Sequence, residues 1–114
     1  MNRNRRKRLT RIIGSLEQLS DETPRKKVED TLSDSQQEVE IIADEEQDCL
    51  DAFPENMMFS QRYDDMSENV SDLWDASSDL ESALSEFKDE GKIYSEVQDD
   101  VDSAIESIQN AIDR

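Results

Sequence analysis

Apolar residues along this 114-residue chain recur three and four positions apart, and no stretch alternates as a strand would. Near the start, Leu9, Ile12, Leu16 and Leu19 share one stripe with Ile13 beside it, which predicts a helix over residues 5–19. Ser20 to Pro24 break the pattern. Thr23 is a good N-cap and Pro24 suits the first helical position, so a second helix is expected to begin there. Its stripe runs Val28, Leu32, Ser35, Val39, Ile42, Glu46, Cys49, Phe53, an imperfect heptad seam interrupted by Ser35 and Glu46. Phe53-Pro54 ends it, because the residue before a proline avoids helical geometry. At 1.5 Å per residue a helix over 24–52 would be about 43 Å long.

After a turn at Pro54-Glu55-Asn56, a third helix is expected from Ser60 or Tyr63. Its stripe is Met66, Val70, Leu73, Ala76/Ser77, Leu80, Ala83/Leu84 and Phe87. Gly91 either ends this helix or loosens a continuous one. Tyr94, Val97, Val101, Ala104, Ile108 and Ala111 then follow a regular three-four spacing, widened by Ile105 and Ile112. The expected fold is all-α, an antiparallel helical hairpin or coiled coil with short helical arms. Two narrow stripes bury little, so the arms should fold back into a three- or four-helix bundle, or the hairpin should form a homodimer. Residues 1–23 read as a basic amphipathic head and linker. Residues 24–114 read as the acidic hairpin and C-terminal helix, with a turn near 53–59 and a break near 91.

Composition sharpens this. Only 33% of residues are hydrophobic and 38% are charged, which approaches the composition of a disordered chain. Two glycines and two prolines, together with the regular spacing, favour helices instead. Cys49 is the single cysteine, which fits a reducing compartment, and no segment approaches the length of a membrane span. A cytoplasmic protein without membrane contact is the expectation.

The charge is divided by position. Residues 1–27 carry nine Lys/Arg against three Asp/Glu, and residues 28–114 carry four against twenty-seven. The acids cluster on helical faces. Glu38, Asp44, Glu45 and Asp48 lie on the second helix, and Asp64, Asp65, Glu68, Asp72, Asp75 and Asp79 on the third. Asp99 and Asp100 lie on the last. Carboxylates three and four apart stand about 5–6 Å from each other, a loose imitation of the 3.4 Å phosphate spacing along a DNA strand. Such a rod suits the basic nucleic-acid-binding cleft of another protein, whereas the bland alternative is a solvated helix surface. The acidic body would itself repel nucleic acid. In the head, Arg5, Arg6, Lys7 and Arg8 suit phosphate or an acidic lipid surface, or pair with the protein's own acids.

Catalytic chemistry finds no footing. Histidine is absent, and there is no glycine-rich phosphate loop, nucleophile elbow or EF-hand loop. No enzyme activity, cofactor or metal is expected. Cys49 is expected to be a buried inert thiol. Trp74, next to Leu73, is expected to pack in the core, with an exposed partner anchor as the alternative. Met57, Met58 and Phe59 form an apolar tip after the turn.

The segments Asp44-Glu45-Glu46-Gln47, Phe53-Pro54-Glu55-Asn56 and Ser60-Gln61-Arg62-Tyr63 resemble the central motif of a family of small acidic proteins. These are encoded by phages and conjugative elements of Gram-positive bacteria. The family's basic head is matched by Arg5-Arg6-Lys7-Arg8-Leu9. Its repeated tail units are matched by Leu80-Glu81-Ser82-Ala83-Leu84 and Ala104-Ile105-Glu106-Ser107-Ile108. The pattern covers most of the chain, and the central twenty residues are its distinctive part. Departures are Gln61, where the family tends to have Glu, and a Ser-rich body. The resemblance implies a helical hairpin, an accessory gene of a mobile element, a bacterial host cytoplasm and no catalytic activity. With the charge, it leads to the expectation of an anti-defence inhibitor that mimics DNA. The alternative is a structural adaptor acting by coiled-coil pairing.

Overall fold

The computed structural model describes all 114 residues. Four helices, α1 (Arg3–Glu17), α2 (Arg25–Asp51), α3 (Gln61–Asp89) and α4 (Tyr94–Asp113), are joined in order, with one short 3-10 turn (Glu55–Met57) between α2 and α3. There are no strands. α2 and α3 form the expected hairpin. α1 packs antiparallel on α2 and α4 antiparallel on α3, and α1 and α4 close the ring against each other. The result is an up-down four-helix bundle measuring 51 × 23 × 18 Å. The arms therefore cover the stripe that a lone hairpin would leave open.

One core of 21 buried residues draws on all four helices, from Leu9 and Leu16 through Leu32 and Ile42 to Leu80, Val101 and Ile108. The predicted α3 and α4 stripes are buried except for Leu84 on α3 and the flanking Ile105 and Ile112 on α4, which are half-buried against the core. Fully burying a large aliphatic side chain contributes about 1.5–3 kcal/mol relative to leaving it in water. The sparse apolar residues are thus concentrated in one shared core rather than scattered over the surface.

The ends are fixed by specific local bonds. Asn2 caps α1 by accepting the Arg5 N–H at 2.8 Å, and Ser60 caps α3 by accepting the Tyr63 N–H at 3.2 Å. Gly91, at φ +66°, makes the reversal from α3 to α4 in a region that L side chains avoid. The expected Thr23 cap does not form. Pro24 itself takes the N-cap position, and the Thr23 hydroxyl accepts the Ser20 N–H at 3.0 Å within the linker.

At the base of the bundle, two charges from the α1–α2 join serve other helices. Asp21 accepts the Ser95 N–H at 2.8 Å, filling at the start of α4 the role that the Ile93 side chain cannot play. Glu96 completes the cap from inside α4 by accepting the Ile93 N–H at 3.0 Å. Arg25 donates to the Phe87 and Lys92 carbonyls at 2.6 and 2.9 Å, with its guanidinium 3.9 Å from the Phe87 ring centroid. A cation at the C-terminus of α3 is also the sign that the helix dipole favours.

Candidate functional site

The acidic residues separate into neutralised and free groups once the arms are in place. Where α1 lies along α2, Arg8 Nε donates to Glu38 Oε1 and Arg8 Nη1 to Glu45 Oε1, each at 2.8 Å. Arg5 Nε donates at 2.8 Å to Oε1 of Glu46, which is completely buried. These bonds raise the Arg8 pKa and hold the Glu45 carboxyl below its ordinary range. At the far end of α4, Arg114 pairs with Glu68 at 3.0 Å and Asp72 at 2.7 Å, and donates to the buried Asn69 at 3.1 Å. Four of the expected partner-binding acids, Glu38, Glu45, Glu68 and Asp72, are thus engaged within the protein.

The other eight meet no Lys or Arg. Asp44 and Asp48 are exposed on α2, and Asp64 and Asp75 on α3. Asp65, half-buried, accepts from Gln61 at 2.7 Å, and Asp79 accepts the Ser103 hydroxyl at 2.9 Å across the α3–α4 seam. Asp100 lies near that seam, and its neighbour Asp99 is exposed. Burial pushes the Asp100 carboxyl up, and Glu86, Asp79 and Asp99 add like-charge repulsion that Lys92 only partly relieves. Of the thirty carboxylates in the chain, seven meet a cation, which leaves twenty-three unpaired.

This repulsion has a signed consequence. A carboxyl whose pKa is raised by folding opposes folding when ionised, and the penalty fades as pH falls through the raised value. Asp100→Asn should therefore raise Tm at pH 7. The gain should vanish near pH 4, about where an ordinary aspartate is protonated in the unfolded chain. Thermal melts of both proteins across that range check the sign. Glu45 has the opposite sense, since its pKa is lowered, and its contribution is lost as pH falls through the depressed value.

The basic head divides in the same way. Arg5 and Arg8 are half-buried and paired with the protein's own acids, whereas Arg6 and Lys7 are exposed without an ion pair. Two further expectations are corrected. Trp74 is 37% exposed rather than packed in the core, because one residue beyond Leu73 turns about 100° around the helix and off the stripe. Cys49 is half-buried, not sealed, and Arg5 Nη2 reaches its Sγ at 3.4 Å.

Half of the exposed large apolar side chains gather at one place. Met57, Met58 and Phe59 are consecutive at the hairpin tip, and Phe59 is 97% exposed. No helix is long and apolar enough to cross a membrane. No set of three or more potential ligand side chains is arranged to hold a metal ion. Comparison of the chain with protein-family profiles, with curated proteins and with solved structures returned no match.

Proposed function

We propose that this protein is a non-enzymatic binding protein, an accessory factor of a mobile element, that inhibits a host nucleic-acid-acting defence protein. Its acidic helical faces occupy the basic cleft in which that protein holds DNA or RNA. The observation that carries this reading is the set of twenty-three carboxylates without a cation, displayed on a bundle 51 Å long. At 3.4 Å per step that length spans about 15 base pairs. Ordinary solvated surfaces intersperse both signs, and here Arg5, Arg8 and Arg114 are taken up in ion pairs within the bundle, while the free cations of the arms, Arg3, Arg6, Lys7 and Arg11, are confined to α1. Self-repulsion lowers the stability of the compact chain, and a basic cleft relieves it. The free chain should accordingly be stabilised by its partner.

The test is affinity purification of the full chain from host cells, with elution by a salt gradient. The expected partner is a nuclease or other nucleic-acid-binding protein that elutes as salt rises, because exposed ion pairs are screened within about 10 Å at 0.1 M. Retention of the same partner at high salt, with its nucleic acid still bound, contradicts the reading and favours pairing through helix stripes.

A further inference from the structure

A groove of about 560 Å³ runs along the seam between α1 and α4, which meet less extensively than the two hairpin helices. That volume is usual for a small-molecule site. Tyr94, Gln98, Asp102, Glu106 and Asn110 line it at four-residue intervals, so α4 presents them as one column. From Tyr94 to Asn110 the column runs about 24 Å along the helix. Across from it, α1 contributes Glu17 beside Ile13 and Leu16, and Ile105 adds apolar surface from α4. Glu17, Asp102 and Glu106 are exposed, and none is paired with a Lys or Arg.

No cation lines the groove. Arg6 and Arg114 line a separate cavity nearer the hairpin tip, and Arg11 lines one on the α2 side of α1. Arg25 borders Tyr94 from the base and is committed to the Phe87 and Lys92 carbonyls. Tyr94 itself is only 4% exposed, and its hydroxyl makes no hydrogen bond although it is not sealed from solvent. Burial pushes this hydroxyl up to about 12, and the charge of Asp102 adds to the effect, so the proton stays on and faces the acidic column. A buried polar group thus opens on the groove without a partner.

We infer that the α1–α4 groove binds a linear aliphatic polyamine, its ammonium groups on Asp102, Glu106 and Glu17 and its methylene links on Ile13, Leu16 and Ile105. Chemistry selects this ligand. The carboxylates are too dispersed for one metal ion, since no three potential ligands are gathered to hold one. A neutral apolar guest would strip water from unpaired charges. A lysine side chain brings one ammonium to three carboxylates. A polyamine brings several along one chain, each a donor only, to a column whose members all accept and whose carboxylates stand about 5–6 Å apart.

The test is isothermal titration of the full chain with spermidine at about 0.15 M salt, where charges beyond about 8 Å are largely screened. One saturable site per chain is expected, with backbone amide NMR shifts moving over residues 13–19 and 94–110. Asp102→Asn with Glu106→Gln should weaken binding about 10-fold, and Tyr94→Phe, which removes only a hydroxyl, about threefold. Asp44→Asn with Asp48→Asn removes the same charge from the exposed face of α2 and should leave the affinity unchanged. Many weak equivalents per chain, shifts spread over all the acidic faces, or an equal loss from the α2 pair would mean a diffuse counterion layer and overturn the inference. Failure of spermidine to bind, even where a lysine-rich peptide does, overturns it as well.

Discussion

Leu80→Asp is expected to abolish the folded state. Leu80 lies in the middle of α3 with no exposed surface, surrounded by the apolar residues of the common core. A carboxylate there has no cation within reach, so it must be buried charged or take up a proton, and either costs several kcal/mol. Removing the leucine contacts adds about 2–5 kcal/mol, the range of large-to-small core replacements. Domains of this size are stable by only about 5–15 kcal/mol. The far-ultraviolet helix signal at 25 °C should collapse. Leu80→Ala should retain the fold with a lowered Tm, and Ser78→Asp, exposed on the same helix, should be nearly silent. Retention of a cooperative melt by Leu80→Asp would mean that α3 does not face this core.

Arg5→Ala is expected to be the most damaging change to a polar residue. The Arg5 side chain is 11% exposed and Glu46 is fully buried, so the alanine variant strands a carboxylate inside the bundle. Glu46 Oε2 has no hydrogen-bond partner even in the parent, which leaves the Arg5 contact as the main compensation. Breaking a buried pair from one side costs about 3–5 kcal/mol, or a fall in Tm of about 10 °C or more for a domain of this length. Replacing both residues with leucine should recover most of the loss, because the double variant buries no unpaired charge. Thermal melts of the two singles and the double decide this. A single variant within a few degrees of the parent would show that the pair is not sealed from water.

The residues that decide these two experiments differ in how well the sequence exposes them. Leu80 is legible because it sits on an uninterrupted three-four stripe, and burial follows directly from that spacing. Glu46 reads as a flaw in the α2 seam until α1 is placed beside it. A signal for the pair was nonetheless present: Arg5 stands four residues before Leu9, on the extension of the α1 stripe, so two opposite charges occupied two core-facing stripes. Stripe spacing fixes which face of a helix is buried, but not which neighbour covers it.

The same limit explains the base and the faces. Ser60 and Gly91 act within three residues of their own positions and could be read locally. The Asp21 cap of α4 joins residues 74 apart in the chain, and no local motif announces it. For the acidic faces, the excess of carboxylates was plain from composition. Which of them are neutralised depended on where Arg5, Arg8 and Arg114 reach, a matter of packing rather than pattern. What emerges is a rod in which Arg5, Arg8, Arg25 and Arg114 serve as internal ties, while twenty-three acids meet no cation.

An acidic surface that takes the place of nucleic acid must displace it from the partner. The most direct measurement is competition on the purified partner, with labelled duplex or single strand displaced by the full chain at several salt concentrations. Complete displacement is expected, with the affinity of the chain falling steeply as salt rises from 50 to 200 mM, in the manner of phosphate contacts. A ternary complex holding both the chain and nucleic acid, with affinity indifferent to salt, would contradict it.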